Sequence, residues 1–147
     1  MADDLAAQPN MRDLMAAVAY VLLHWGWLEA EIRERIEAIE PDRQLFKGSL
    51  WGHWRSVEPE ACQGVQSDIQ TLADTRNCLA HGLCGARADP HTAGEPHVVC
   101  HTSAGHRLFT MSELERAADA LHVARNNVRD GRFESLGGEA GGKDRPT

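Results

Sequence analysis

The longest regular pattern in the sequence, from Met11 to about Ile39, constrains the fold more than any other feature. Apolar residues recur along it at steps of three, four and seven, which predicts one face of a long α-helix. They are Leu14, Val18, Val21, Trp25, Leu28, Ile32 and Ile39. Glu31 and Arg35 form an i,i+4 pair on its polar side. A helix this long exposes more apolar surface than short neighbouring helices cover, so the pattern favours a helical bundle that forms a homodimer.

Three further helices are predicted. A short one covers about 43–56, and a longer one covers Pro59–Gly82, because proline suits a first helical turn and glycine commonly follows a last one. The last helix begins within "TMSELE", where Thr110 with Glu113 and Ser112 with Glu115 each fit a capping box, and it ends at about Arg129. The sequence contains no internal repeat.

Residues 83–110 differ in composition, because glycine, proline, histidine and threonine become frequent and "HVVCHT" and "HRLFT" flank "SAG". This pattern predicts a small β-hairpin or meander. The expected fold class is therefore all-α, an antiparallel bundle of about four helices with a small β-hairpin insertion before the last helix. Residues 1–10 are expected to form a flexible leader, 11–130 the helical domain and 131–147 a disordered tail.

The formal net charge of −7 argues against a protein that coats long stretches of nucleic acid, since phosphate neutralisation supplies most of that affinity. A small cationic pocket for one or two phosphates remains compatible with it. The N-terminus does not resemble a secretory signal, and no apolar run reaches the length of a membrane span. We therefore expect a cytoplasmic protein without a membrane partner, whose four cysteines are reduced.

The stretch "TRNCLAHG" at residues 75–82 contains the residues of the candidate site. The third helix carries a line of residues at heptad spacing, and Arg76 is the one polar member of that line. Its apolar members are Val65, Ile69, Leu72, Leu79 and Leu83. Asn77 and His81 are four residues apart and share an adjoining face, whereas Arg76 and His81 are five apart, about 140° around a helix.

Two interpretations of this stretch stay open from the residues alone. In one, a long guanidinium and a chain turn after Gly82 bring Arg76 and His81 to one cleft. In the other, Arg76 pairs with a carboxylate of a facing helix, and His81 caps the last carbonyl groups.

The stretch resembles the signature of the HEPN family (higher eukaryotes and prokaryotes nucleotide-binding), in which four to six residues separate an arginine from the histidine that follows it. The residue after the arginine is commonly polar, as Asn77 is, and "HWGWLEAEI" in the first helix also resembles HEPN proteins. Many HEPN proteins are helical-bundle, metal-independent endoribonucleases. Arg116 and His122 match the bare spacing too, but they lie inside the last helix, and we interpret that match as accidental.

The resemblance implies a metal-independent endoribonuclease with a composite site in a homodimer. Arg76 would bind the scissile phosphate, Asn77 would orient the histidine or the ribose, and His81 of each subunit would serve as acid or base. Some HEPN ribonucleases are toxins or defence enzymes neutralised by a cognate antitoxin, often a small nucleotidyltransferase-like protein. The resemblance also allows a non-catalytic dimeric module that binds a nucleotide, RNA or a partner protein.

A zinc site is the remaining chemical alternative, but the paired CxxC motifs of many zinc proteins are absent. Its candidate ligands are Cys78, His81 and Cys84, with His97, Cys100 and His101 in the insertion. We predict no metal and no cofactor. The four tryptophans are expected in the core or an interface. His24 and Glu29 are expected at solvated positions, with the cleft as the alternative for both.

Overall fold

The computed structural model describes residues 8–89 and 94–133. Its four helices and three strands follow one another along the chain. They are α1 (Met11–Ile39), α2 (Leu50–Val57), α3 (Pro59–Gly82), β1 (Leu83–Arg87), β2 (His97–Thr102), β3 (Gly105–Thr110) and α4 (Met111–Asp130). The predicted helices are confirmed, although α2 begins at Leu50 rather than near residue 43. The fold is mostly helical but not all-α, because the insertion forms a three-stranded antiparallel sheet in the order β1-β2-β3.

The long helix α1 begins at a capping box that the sequence analysis did not identify. The Asn10 side chain accepts a hydrogen bond from the Asp13 backbone N–H, and the Asp13 carboxylate accepts one from the Asn10 backbone N–H. Asn10 therefore has a structural role at the end of the predicted leader, of which residues 1–7 lie outside the described chain. Six of the seven predicted apolar residues of α1 are buried, and the seventh, Ile39, is exposed while Ile36 is buried.

The helices are not all antiparallel. Arg35, near the end of α1, contacts Glu58, which directly precedes α3, so these two helices run in opposite directions. In contrast, His24 lies beside His122 and Glu31 lies beside Arg129, so α1 and α4 run in the same direction. The prediction of a fully antiparallel bundle is wrong in this respect, because the sheet lies at the end of the bundle where α3 ends and α4 begins.

Helix α3 passes directly into β1, and a glycine allows that junction to pack tightly. A Cβ on Gly82 would lie 2.4 Å from the backbone oxygen of His101 on β2. Leu83 then pairs with Cys100, and a bulge follows between Leu83 and Gly85. The sheet contributes Val98, Cys100 and Phe109 to the core. The last turn of α3, which bears His81, is thus attached to the sheet.

The chain after α4 is packed rather than free up to residue 133. Gly131 has φ 68° and ends the helix in the left-handed conformation that glycine favours. The Phe133 ring then lies 5.9 Å from the Trp54 ring. The first three residues of the predicted tail therefore belong to the fold, and residues 134–147 lie outside the described chain.

Within the described residues, no helix combines the length and the apolar character that a membrane crossing requires.

Candidate functional site

The apolar line of α3 differs from the predicted one at its centre. Thr75, not Arg76, is buried between Leu72 and Leu79, and its hydroxyl donates to the Thr71 carbonyl at 3.3 Å. Arg76 is half-buried at the edge of this line, and Leu83 is 42% exposed as the first residue of β1. A strict heptad spacing drifts around a helix of 3.6 residues per turn, so position 75 can take the buried place.

Arg76 and Asn77 line an open groove between α1, α2 and α3, with a volume of about 340 Å³. Arg76 Nη1 donates a hydrogen bond to Asn77 Oδ1 at 2.9 Å. Trp25, Glu29 and Arg55 also line the groove. Arg76 of α3 and Arg55 of α2 therefore line the same cleft, which is open to solvent.

Arg76 forms no ion pair within 4.0 Å in residues 8–89 and 94–133. Glu29 is the carboxylate that lines the groove, and it accepts a hydrogen bond from the Trp25 indole N–H. These residues therefore contain no carboxylate paired with Arg76, and they do not support the interpretation in which Arg76 pairs with a facing helix. Its guanidinium keeps donors that can reach a ligand, since Asn77 occupies one of them.

His81 is exposed on the last turn of α3, and no hydrogen bond or ion pair engages it in the described chain. It shares a face with Asn77 but lies about 140° from Arg76 around the helix. One subunit therefore brings Arg76 and Asn77 together and leaves His81 nearby, on the sheet side of the groove. The His81 imidazole would contact a ligand bound at Arg76 only if that ligand, or a second subunit, spanned the distance between Arg76 and His81.

The candidate ligands of the alternative zinc site do not form a metal site in the described residues, where no three His, Cys, Asp or Glu side chains are grouped to hold a metal ion. The Cys84 thiol instead donates to the Val99 carbonyl at 3.5 Å. Burial raises the pKa of the Cys100 thiol, and the neighbouring Cys78 and Cys84 thiols raise it further. These three cysteines lie near one another as free thiols at the junction of α3 and the sheet.

A second group of polar side chains, between α1 and α4, was missed by the sequence analysis. The His24 ring lies 5.0 Å from Trp27 and 5.6 Å from His122, and the Arg125 guanidinium lies 5.4 Å from the centre of the Trp27 ring. Burial lowers the pKa of His24, and the charges of His122 and Arg125 lower it further against an opposing effect of Asp119. His24 is thus half-buried rather than solvated.

Only a weak signal in the sequence could have indicated this group. On α4, His122 and Arg125 are three residues apart and share a face, but His24 is far from both along the chain. Nδ1 of His24 is buried without a hydrogen-bond partner in the described chain.

Arg35 and Glu58 form the most extensive ion pair of the described residues. Two nitrogens of Arg35, Nε and Nη2, donate to the two carboxylate oxygens, the second at 2.8 Å, and Trp54 Nε1 donates to Glu58 at 3.1 Å. Burial alone would raise the pKa of Glu58, but the hydrogen bonds from Arg35 and Trp54 outweigh it and lower the pKa.

The predicted Glu31–Arg35 pair is replaced by contacts between helices. Glu31 pairs with two arginines of α4, Arg125 at 3.4 Å and Arg129 at 3.1 Å. Arg35 is engaged by Glu58 instead, so both residues connect α1 to other elements.

A larger cavity, of about 790 Å³, lies beside the Arg35–Glu58 pair and is lined by Pro59, Glu60 and Arg132. Its described lining contains no histidine or thiol, and Glu58, one of its two carboxylates, is already paired with Arg35. The Arg76 groove is smaller, but its Arg76 has no carboxylate partner among the described residues, so we take the groove as the candidate site.

No family model, no curated protein and no solved structure is significantly similar to this chain. The geometry of the site and the resemblance of residues 75–82 are therefore the features that bear on function.

Proposed function

We propose that the chain is a metal-independent endoribonuclease of the HEPN type that acts as a homodimer, with Arg76, Asn77 and His81 in its site. One observation carries the proposal: Arg76 lines an open groove with no carboxylate within 4.0 Å in the described chain, and its hydrogen-bond partner is the neutral amide of Asn77. A half-buried guanidinium with free donors is suited to bind phosphate, for which its fork geometry allows two parallel hydrogen bonds.

The proposed reaction needs no metal ion. A base removes the proton of a ribose 2′-OH, the 2′-oxygen attacks the adjacent phosphorus, and the bond from phosphorus to the 5′-oxygen breaks. An acid protonates the departing 5′-oxygen, so that the products carry a 2′,3′-cyclic phosphate and a 5′-OH. Histidine suits both roles because its ordinary pKa lies near neutrality. One His81 cannot serve both at once, so the second subunit would supply the other imidazole.

Arg76 would stabilise the charge that accumulates on the phosphorane, and Arg55 lies in the same groove as a second cation. Asn77 has two further uses in this arrangement. Its carbonyl oxygen orients Arg76, and its NH₂ group remains a donor for the ribose or for His81. Because α3 is attached to the sheet at Gly82, the last turn of α3, which bears His81, would stay in place while RNA binds.

The test is cleavage of a mixed RNA in excess EDTA by the wild-type protein and by Arg76→Ala and His81→Ala. We expect cleavage by the wild type, its loss in both variants, and cyclic phosphate ends on the products. Arg116→Ala and His122→Ala are matched controls, because these residues have the same kind of spacing on α4 without the groove, and they should retain cleavage. Intact RNA in all wild-type reactions, or cleavage that EDTA abolishes, would contradict the proposal.

A non-catalytic binding module is the alternative function, and one observation favours it. Within one subunit Arg76 and His81 lie about 140° apart on α3, and the groove also contains Glu29. Such a groove could bind a single nucleotide, an RNA end or a partner such as a nucleotidyltransferase-like antitoxin without cleavage. Arg76-dependent binding of an oligoribonucleotide that stays intact would identify this function.

A further inference from the structure

The Arg76 groove is lined by charges of both signs that do not neutralise one another. Arg76 and Arg55 line it, and so does the carboxylate of Glu29. None of these three side chains forms an ion pair within 4.0 Å in residues 8–89 and 94–133. The two guanidinium groups attract a phosphate, whereas the carboxylate repels it. The presence of Glu29 therefore indicates a ligand that brings hydrogen-bond donors as well as an anion.

Glu29 is held in place by the core of the subunit. The indole N–H of Trp25, a residue that is only 5% exposed, donates to Glu29 Oε1. Glu29 Oε2 has no hydrogen-bond partner in the described part of the chain. A carboxylate accepts through several lone pairs on its two oxygens and donates none, so Glu29 keeps the capacity to accept from two adjacent donors of a ligand.

The groove also offers an aromatic surface between its charges. Trp51 is half-buried and lines the groove, and its ring lies 6.1 Å from the Trp25 ring. Arg55 follows one helical turn later on α2. Unpaired RNA bases stack on exposed aromatic rings and on arginine side chains. The volume of about 340 Å³ is at the small end of the range for small-molecule sites, about 300–1,000 Å³, and fits one nucleotide rather than a long strand.

We propose that the groove selects a guanine nucleotide of RNA. Arg76 binds its phosphate, Trp51 stacks on the base, and Glu29 accepts hydrogen bonds from the N1–H and the 2-amino group. Guanine is the RNA base whose pairing edge has two donors side by side. Adenine and cytosine present an amino group beside an acceptor nitrogen, and uracil presents one N–H between two carbonyl oxygens. Each of these three bases therefore places a lone pair against the carboxylate, which disfavours it.

This inference rests on the proposed function for the role of Arg76 as a phosphate ligand, and it adds a preference for one base. The ribonuclease would cleave RNA beside guanosine rather than at every nucleotide. The non-catalytic module would bind guanosine and not the other nucleosides. In both cases Glu29 determines specificity, because it contacts the base and not the reacting atoms.

The test is calorimetric titration with the 3′,5′-bisphosphates of guanosine, inosine, adenosine, cytidine and uridine, which carry a phosphate on either side of the ribose. We expect the guanosine compound to bind about ten- to hundredfold more tightly than those of adenosine, cytidine and uridine. The inosine compound, which lacks the 2-amino group, should bind with intermediate affinity. Arg76→Ala should weaken the binding of all five compounds by a similar factor, since each uses the same phosphate contact.

Glu29→Gln is the decisive variant, because its carbonyl oxygen still accepts from Trp25 while the carboxylate is lost. It should abolish the preference for guanosine and strengthen the binding of the adenosine compound, since the new NH₂ group donates to adenine N1. Glu37→Gln removes the same charge at an exposed position of α1 outside the groove and should keep the preference.

Equal binding of all five compounds by the wild type, or a guanosine preference that persists in Glu29→Gln, would overturn the inference. Cleavage of RNA without a preference for guanosine would overturn it too and would leave the proposed ribonuclease standing. Guanosine-selective binding that depends on Glu29, found together with RNA that stays intact, would support the inference and contradict the ribonuclease instead.

Discussion

Two half-buried arginines, Arg35 on α1 and Arg76 on α3, occupy similar positions at the edge of the core but differ in their partners. Arg35 donates to both oxygens of Glu58 and to the Val128 carbonyl at 3.5 Å, and its guanidinium lies 4.6 Å from the centre of the Phe133 ring. Among the described residues, Arg76 donates only to the neighbouring Asn77. The first arginine connects α1, α3 and the end of α4, whereas the second, within the same part of the chain, has no partner outside its own helix and remains available for a ligand.

The largest expected effect follows from this difference. Arg35→Ala should lower the free energy of unfolding by about 2–3 kcal/mol, because Glu58 would lose its charged partner while remaining partly buried. Arg76→Ala should change it by no more than about 0.5 kcal/mol, since it removes one exposed hydrogen bond. Urea unfolding followed by circular dichroism measures both, and an equal loss in the two variants would remove the distinction.

The next effect concerns the third partner of Arg35. Phe133→Ala should cost about 1–2 kcal/mol, because the ring covers the Arg35 guanidinium and packs against Trp54. Phe46→Ala is the matched control, as Phe46 is 78% exposed, and its stability should equal that of the wild type. If both substitutions are neutral in thermal unfolding, residues 131–133 do not contribute to the fold as described.

Arg35 and Arg76 also show how much of the structure could be predicted from the sequence. Capping signals and apolar spacing are local, so the bounds of α1 and α3 followed from them, and the Thr110–Glu113 capping box of α4 is one of the two that the sequence offered there. The partner of Arg35 is 23 residues away in the chain and could not be found from helical spacing, which indicated Glu31 instead. The shared direction of α1 and α4 depends on where the sheet lies.

The sequence predicted Arg76, Asn77 and His81 as site residues, of which Arg76 and Asn77 line the groove, but it did not predict their surroundings. The heptad pattern placed Arg76 in the apolar line, whereas one residue of drift buries Thr75 and turns Arg76 toward the groove. Trp25 and Arg55 come from other helices, so no local pattern could assign them to the same groove. Whether two copies of His81 meet depends on quaternary structure, which spacing in one chain does not determine.

The effect of pH on stability through His24 should be smaller than the effects of these substitutions. It tests the same difference, between groups that are held inside the fold and groups that are free to bind a ligand. The pKa of His24 is below 6.5 in the folded chain, since burial lowers it and the His122 and Arg125 charges add to that effect. As the pH falls through 6.5, the unfolded chain therefore takes up a proton first, and stability decreases until the folded pKa is passed. Above 6.5 this contribution is constant.

Replacement of His24 by glutamine should remove that part of the acid-induced loss, which thermal unfolding at pH values above and below 6.5 measures. Gln63→Asn serves as the control, because Gln63 is exposed and carries no titratable group, and it should keep the wild-type pH dependence. A steeper decline with falling pH in the His24→Gln protein would show that the imidazole charges favourably in the folded state, contrary to the geometry.

The smallest expected effect on stability comes from Asn77→Asp, which gives Arg76 the kind of partner that Arg35 has. The new carboxylate would stand where Asn77 Oδ1 now accepts from Arg76 at 2.9 Å, but an exposed ion pair adds only about 0–1 kcal/mol. Binding should respond more strongly than stability, because the carboxylate competes with phosphate for the guanidinium and repels it. Filter binding of a short oligoribonucleotide should therefore weaken in Asn77→Asp and not in Gln44→Glu, which adds the same charge at an exposed site outside the groove. Equal weakening in both variants would mean that net charge, rather than the partner of Arg76, controls binding, and the contrast between the two arginines would then carry no functional meaning.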